Sequence, residues 1–577
     1  MNRKDRRAAQ KTRTPAETAG ALFAQGAAAQ NAGDLDGAVR LYKRGLVLDA
    51  GNPAALNNLG AALLALGRLP EASERFRQAV LLQPAALDDF AALAGALTRL
   101  CPPLAAAAAR AEQGWPERLP IEALFDADGF DAAATDPLFE TILQTTTVRT
   151  VGYERLLTML RHALLRAALA TAPDARPPEQ LAFWCALAQQ CFINEYVFEV
   201  SSDEDEDVAA LRARLDAAIT DGTATPAAWL VALASYVPLA SLAGADQLAA
   251  RKGPEPVRAL IRQQIEEPAQ ERALKASLKT LGPIDDEVSL RVQAQYEESP
   301  YPRWVLADPH LKPAAIDDHL RATYPHAQFR PLGERDPLDI LVAGCGTGRH
   351  AIGLARTYKN PRMLAVDLSA TSLAYAMRKT PADLRSVIDY AQADILKLSS
   401  LDRRFDLIET RGVLHHMRDP FEGWRALLPL LKPGGIMTVG LYSELARADI
   451  VAARAFIAAE GFPPTPDGIR RCRQAMLAHP RFKAFARLGD FYSTSDCRDL
   501  LFHAQECRLT IPQIRDFLAA QQLAFIGFEF APQTVQALRA AFAQAGRSIN
   551  NLDHWHAYET EHPDTFRAMY QFAVQKA

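Results

Sequence analysis

No CxxC pair and no long apolar run occurs in this 577-residue sequence. Its seven cysteines (Cys101, Cys185, Cys191, Cys345, Cys472, Cys497 and Cys507) are odd in number and scattered, which argues for reduced thiols and against structural zinc. No stretch of about 18 residues is apolar and uncharged throughout, so no membrane span and no membrane partner is expected. The basic opening MNRKDRRAAQKTR leads into no apolar segment that would make it a secretory signal, so a cytoplasmic location is expected. Charge of one sign is not in excess either: 64 Lys and Arg face 68 Asp and Glu, a net charge of −4. Lacking a basic field or an aromatic-interleaved Lys/Arg stripe, the chain is not expected to take nucleic acid as a partner. What is present, 49% hydrophobic and 23% charged residues, is the composition of a soluble globular protein whose length calls for three or four domains.

The chain opens on a repeat. Gly26 and Gly60, Gly33 and Gly67, Ala38 and Ala72, Tyr42 and Phe76, Gly45 and Ala79, and Ala50 and Pro84 each stand 34 residues apart. This resembles tetratricopeptide repeats, in which two antiparallel helices per unit meet at small residues around one aromatic knob. A third unit is expected from Asp88 to Leu100, blurred by Cys101-Pro102-Pro103 and an Ala-rich helix. Two clear units are few for a free solenoid, so the array is expected to pack on the next domain, either as a groove for a peptide or as a scaffold or dimer contact. From about Pro116 to Ser277 the pattern is helical. Leu181–Val197, with Cys185, Cys191 and Asn194, reads as a core helix. The acidic run Ser201–Asp207 reads as a solvated loop and cap before a helix from Val208, with docking of basic substrate tails as the alternative.

The centre of the chain is LDILVAGCGTGRH, Leu338 to His350. A short apolar strand runs into Gly344, Gly346 and Gly348 and then a helix, so backbone N–H groups face an anionic group where no side chain intervenes. Arg362–Asp367 is a second strand ending on an acid that can accept both hydroxyls of a ribose. Asp394 follows a third strand, FDLIE (Phe405–Glu409) is a fourth, and LKPGGIMTVGL (Leu431–Leu441) feeds a fifth. This succession resembles the class I S-adenosylmethionine (AdoMet) methyltransferases; an NAD-type Rossmann enzyme or a degenerate, non-catalytic domain are the alternatives. The sequence predicts an α/β class I methyltransferase, Rossmann-like, with a seven-stranded sheet whose last strand (Met569–Gln575) is antiparallel. Its expected divisions are repeats in residues 1–115, a helical middle domain in 116–290, the cofactor-binding core in 291–442, a helical substrate cap in 443–522, and the last two strands in 523–577.

Further phrases narrow the resemblance. The repeat opening, QCFINEY, QYEESPYPRW, LVAGCGTG, DFYSTSDCRDLLFHAQECRLTIPQI and LDHWHAYETEHPDTFRAMYQF resemble the tetratricopeptide-bearing methyltransferases, which include protein-lysine methyltransferases of rickettsial outer-membrane proteins. The resemblance implies AdoMet as cofactor, a protein or peptide substrate methylated on lysine, and a homodimer. Carried onto this sequence, it implies Gly344, Gly346 and Gly348 at the cofactor turn, Asp367 at the ribose, Asp394 with Ile395 at the adenine amine, and Leu368 on the ring face. Val342 stands where many class I members carry the acid that orients the methionine ammonium, so that contact must come from elsewhere, with Glu409 a candidate. Tyr301 and Arg303, in the aromatic strap before the first strand, are placed to cover the cofactor, Arg303 pairing the methionine carboxylate.

Thr410, Arg411, His415 and His416, after the fourth strand, face the transferred methyl in this fold. A histidine there suits a general base for an oxygen acid, whereas a lysine must arrive neutral. Tyr558, Glu559 and Tyr570 are candidates for lining the acceptor slot. His554, His556 and His562 match no zinc spacing, and no metal is expected. A small-molecule methyltransferase whose repeats dimerise, and an adaptor with a relic fold, stay open beside the protein-lysine enzyme.

Overall fold

The computed structural model describes residues 18–83, 95, 97–307 and 313–577, with no side chains given for 532 and 533. The basic N-terminal stretch and most of the expected third repeat lie outside these. The repeat offset is visible in the helices themselves: Ala19–Asn31 and Leu35–Leu48 recur as Pro53–Ala65 and Leu69–Leu82. The small residues are explained by the knobs. A Cβ on Gly26 would lie 2.8 Å from the Tyr42 ring, and one on Gly60 would lie 3.1 Å from Phe76. Asp34 and Asn52 cap the second and third helices by accepting from Gly37 N and Ala55 N.

One apolar cluster continues from Ala38 in the repeats to Ile265 in the middle helices. Ser73 donates to Asp136 across that junction at 2.9 Å, so the repeats are packed on the helices after them. Cys185 and Cys191 are buried in helix Leu181–Ile193, and burial pushes each thiol up to about 12, as expected of packing residues. The acidic run differs from expectation. It forms the first turns of helix Ser202–Thr220, capped by Ser201 and Glu204, and Glu204 is buried against Arg118 and Tyr236 instead of solvated. A buried carboxylate keeps its charge here because two guanidiniums, Arg161 and Arg118, neutralise it.

The sheet has eight strands where seven were expected: β1 (Lys279–Thr280), β2 (Leu338–Ala343), β3 (Pro361–Asp367), β4 (Ile388–Gln392), β5 (Phe405–Arg411), β6 (Leu431–Leu441), β7 (Leu523–Phe528) and β8 (Tyr570–Lys576). The extra one, β1, is a two-residue edge strand beside β4, too short to leave a periodic signal. The order is β1-β4-β3-β2-β5-β6-β8-β7, with β8 antiparallel to both β6 and β7. The central strand β2 is buried at every residue, as a parallel strand covered on both faces must be. Because β3 and β5 flank it on opposite sides, a crevice opens at its carboxyl end, where ligands of open α/β sheets bind. Between β6 and β7 lie helices Ala448–Glu460, Pro466–Ala478, Thr494–Phe502 and Ile511–Ala520, the first three around their own apolar cluster. Arg473 of this cap is fully buried and makes a bidentate pair with Glu154 of the middle helices, with bonds to Phe491 O and Val197 O besides. The cap is thereby fastened to the helices that precede the sheet.

Candidate functional site

A cavity of about 840 Å³ opens at the carboxyl end of β2. Gly344, Gly346 and Gly348 all take positive φ, of 84°, 52° and 84°. A Cβ on Gly344 would meet the Val413 side chain at 2.3 Å, and one on Gly346 would meet the Tyr301 carbonyl oxygen at 2.8 Å. Only glycine fits, because the turn is folded against the strap. That strap is pinned where it crosses: Thr347 donates to Pro302 O, Trp304 Nε1 to Thr347 O at 3.2 Å, and Tyr375 to Trp304 O. Gly344 and Gly346 are on the cavity wall with Tyr301, and Gly348 closes the turn behind them against Ala376.

Asp367 stands at the end of β3, its oxygens accepting from Gly346 N at 2.8 Å and Ser369 N at 2.9 Å. Burial raises its pKa from the ordinary value. Leu368, Asp394 and Ile395 continue the wall. Asp394 Oδ1 caps Leu396 N at 2.9 Å, but Oδ2 is buried with no partner among the described residues. A buried acceptor left open is costly unless a donor fills it, and the exocyclic amine of an adenine would. Glycine cradle, ribose acid and open adenine acceptor therefore fit a nucleoside with an anionic tail.

At the other end the structure departs from two expectations. Arg303 does not reach the cavity: it pairs with Glu195 at 3.3 Å and lies over Phe192, tying the strap to the middle helices. Glu409 stands opposite Val342 but is absent from the cavity wall. Its carboxylate is taken by Thr438, by Arg411 at 3.0 Å and by His350 at 3.3 Å. Burial would raise it, and these partners hold it at about 2 instead. The residues presented to the cavity there are His350 and Arg411 themselves, with Glu529, which pairs with Arg411 at 2.8 Å, and the Arg411 guanidinium suits the methionine carboxylate.

Of the residues expected near the methyl group, His416 is on the wall. Its Nδ1 lies 2.9 Å from Gln505 O, so Nδ1 carries the proton and Nε2 the lone pair. Burial lowers this histidine to about 4, keeping it neutral at pH 7. Thr410 and His415 lie behind the wall. The Thr410 hydroxyl and both His415 nitrogens are buried without partners among the described residues, and the His415 ring stacks 3.6 Å from Tyr442. Tyr558 and Glu559 are elsewhere: Tyr558 packs among Phe542, Trp555 and His562, while Glu559 accepts from Ser443 and Tyr570. Both support the β7–β8 end of the sheet, because the helix carrying them, Leu552–Glu561, buries its aromatic face there.

Tyr296, His503 and three acids of this region were not singled out from sequence. Tyr296 stacks 6.5 Å from Tyr301, and His503 stacks 3.6 Å from His416. Asp490, Asp496 and Asp499 all bear on the buried Tyr301 hydroxyl. Burial lifts the Asp499 carboxyl to about 7 and raises Asp496 well above the carboxylate range. Asp490 is exposed by area yet crowded by protein on nearly every side, and is raised for the same reason. A usable signal existed: two acids and a histidine, Asp496, Asp499 and His503, fall on one face of helix Thr494–Phe502 and its C-cap. His416, Asp499 and His503 bring one ligand atom each within 4.8 Å of one another. Yet the two rings are only 15° from parallel. An ion bonded to both would lie between the ring planes, whereas each imidazole lone pair lies in its own plane, so the cluster does not suit a metal.

Comparison with known proteins agrees with this geometry. Residues 340–435 match the family model described as a methyltransferase domain, and residues 29–100 match a tetratricopeptide-repeat model. The chain is a tetratricopeptide-bearing protein with a class I methyltransferase domain, and its cofactor is S-adenosylmethionine. It is 30% identical to an uncharacterized protein of Synechococcus sp. over 42% of this chain and 61% of that one. It is 31% identical to the ubiquinone biosynthesis O-methyltransferase of Xanthomonas axonopodis over 27% of this chain and 62% of that one. The chain thus spans about three fifths of the length of these curated relatives. Among solved structures it resembles PKMT2 from Rickettsia typhi in complex with AdoHcy, at 19% identity and a TM-score of 0.36, covering 48% of this chain and 55% of that one.

Proposed function

We propose that the chain is an AdoMet-dependent methyltransferase acting on an amino group, with a protein lysine as acceptor. The observation that carries this reading is the acidic cluster behind Tyr296 and Tyr301, where Asp490, Asp496 and Asp499 bear on Tyr301 and Asp499 bears also on Tyr296 and Tyr442. Of the neighbouring cations, Arg447 is already committed, paired with Glu506 at 2.7 Å and lying over the Tyr442 ring at 3.6 Å. Arg149 faces Asp490 and Asp496 as well, and burial still raises all three acids, so an ammonium flanked by aromatic faces would favour their ionisation.

When bound, the cofactor supplies a methyl group already activated for in-line displacement. The chain's own residues have four tasks. The glycine turn, Asp367 and Asp394 hold the nucleoside; His350 and Arg411 hold the carboxylate; the strap and cap exclude water; the wall at Tyr296, Tyr301 and His416 aligns the nitrogen. The tautomer of His416 favours a second reading. Its Nε2 lone pair could serve as base for an oxygen acid, the chemistry named for the Xanthomonas relative. The acids weigh toward the amine, since an ammonium would favour their ionisation whereas the oxyanion an oxygen acid becomes would oppose it. A protein substrate also suits the repeats, whose exposed Val47 and Leu48 offer apolar surface, and a homodimer through them is part of the same proposal. Labelled AdoMet incubated with a lysate of the source cell should place label on lysine nitrogen of protein. Label confined to small molecules, or to ester and ether oxygens, refutes the reading.

A further inference from the structure

The amine reading leaves a step unassigned: a lysine enters as ammonium, with a pKa of about 10.4, and must lose a proton before its nitrogen can attack. The cap and the helix before the strap supply a connected set of groups for this. Tyr296 is on the cavity wall, and its hydroxyl donates to Asp499 Oδ1 at 2.6 Å and lies 3.0 Å from His503 Nε2. His503 Nδ1 accepts from Gln505 N at 3.0 Å, so Nε2 carries the ring proton and donates to the Tyr296 oxygen. The Gln505 peptide also fixes His416 through its carbonyl. Tyr296 thus keeps one lone pair for a donor arriving from the cavity, with Asp499 behind it.

Building on the amine reading, we propose that Tyr296 and Asp499 form the route by which the acceptor ammonium loses its proton, with His503 holding Tyr296 in place. One ammonium N–H bond breaks and its electron pair stays on nitrogen. The proton goes to the Tyr296 oxygen as the Tyr296 proton passes to Asp499, giving a neutral amine and a neutral carboxylic acid. The nitrogen pair then forms the C–N bond while the C–S pair returns to sulfur. The product leaves as an N-methylammonium, and Asp499 later releases its proton to water.

The surroundings suit the task. Asp490 and Glu506 oppose charge on Asp499, and Arg447 and Arg454 favour it. The Tyr301 and Tyr442 hydroxyls face it too, and His503 Nε2 lies 3.9 Å away. With burial as the largest effect the carboxyl lies at about 7, which brings its proton affinity about a thousandfold closer to that of an amine than an ordinary carboxylate's. Asp499 is a positioning residue in this scheme, acting on substrate through Tyr296.

The test uses the full chain with AdoMet and an N-acetyl-lysine amide or a lysine-bearing peptide as acceptor. Wild-type single-turnover rates should climb through pH 7 as Asp499 ionises and then flatten. Asp499→Asn and Tyr296→Phe should each lose about 10²–10³-fold at pH 7.5. Both should return to within about threefold of wild type near pH 10, where the amine sheds its own proton. A purely structural defect would persist at high pH, so an equal deficit at both pH values overturns the proposal, and so does full activity of both variants at pH 7.5. Infrared spectra of the S-adenosylhomocysteine complex give a readout apart from turnover. Adding the amine at pH 8 should raise protonated-carboxyl absorption in wild type and not in Asp499→Asn; no rise in wild type also overturns it. Failure of the amine reading is distinguishable, because wild type would then methylate no amine at any pH, and the relay falls with it.

Discussion

Replacing Asp499 with Asn should cost activity and yet stabilise the fold. The buried carboxyl lies at about 7, against 3.8 for an unperturbed one. Folding therefore favours the protonated form, so this group's contribution to stability is full below pH 3.8 and declines as pH rises to about 7, after which it is constant. About three pH units at about 1.4 kcal/mol each make a penalty near 4 kcal/mol for the wild type above pH 7. Asn keeps an oxygen that accepts from Tyr296 and carries no charge, and burying its amide costs about 1–2 kcal/mol. The net expectation is that Asp499→Asn is more stable by about 2–3 kcal/mol at pH 8, less stable by about 1–2 kcal/mol near pH 4, with the difference changing by about 1.4 kcal/mol per pH unit between. Urea denaturation of both proteins across pH 4–8, without cofactor, measures it. A difference that does not change with pH would mean that Asp499 is ionised throughout, and the proton route would fail.

Asp367→Ala should weaken AdoMet binding by about 1–3 kcal/mol in calorimetry, because a ribose would lose its charged acceptor. Gly346→Ala should fold but bind AdoMet at least tenfold more weakly, since its Cβ would lie 2.8 Å from the Tyr301 carbonyl at a φ that disfavours alanine. Arg473→Met should destabilise by about 3–5 kcal/mol, leaving Glu154 charged and buried, and limited proteolysis should then cut the cap first. His416→Asn should lower an amine-methylating rate by less than tenfold through lost packing, whereas a base acting on an oxygen acid would lose 10²–10⁴-fold.

The features legible in the chain before its structure are those whose signal is local. The repeats, the succession of the longer strands along the chain and the glycine turn are of this kind: a helix pair recurring every 34 residues, or an apolar strand running into GCGTG, carries its signal within a few dozen residues. Asp367 ends β3 and Asp394 follows β4 by two residues, so their place at the carboxyl edge was legible locally, while the adenine role of Asp394 came from the resemblance alone. The acceptor region is not local. Tyr296 lies between β1 and β2, His416 after β5 and Asp499 in the cap, and Arg473 and Glu195 bring them together by fastening the cap and strap to the middle helices. Arg303 was misplaced for the same reason: a guanidinium near a cofactor turn invites a carboxylate, and nothing local reveals that Glu195 is the carboxylate it gets.

The misplacing of Tyr558 and Glu559 has another cause. Their phrase belongs to the tail that completes the sheet, and proximity in sequence to β8, which pairs with β6, suggested the catalytic edge. Helix Leu552–Glu561 packs instead with β7 and β8, where buried Glu559 accepts from Ser443 and Tyr570 away from the cavity wall. Asp499 differs in the relevant respect. It is as buried as Glu559, but its partner Tyr296 is itself on the cavity wall, so its protonation state can be felt by whatever enters. Burial alone does not separate a structural acid from a working one; the distinction lies in whether the hydrogen-bond chain from the acid ends in packed protein or at open space.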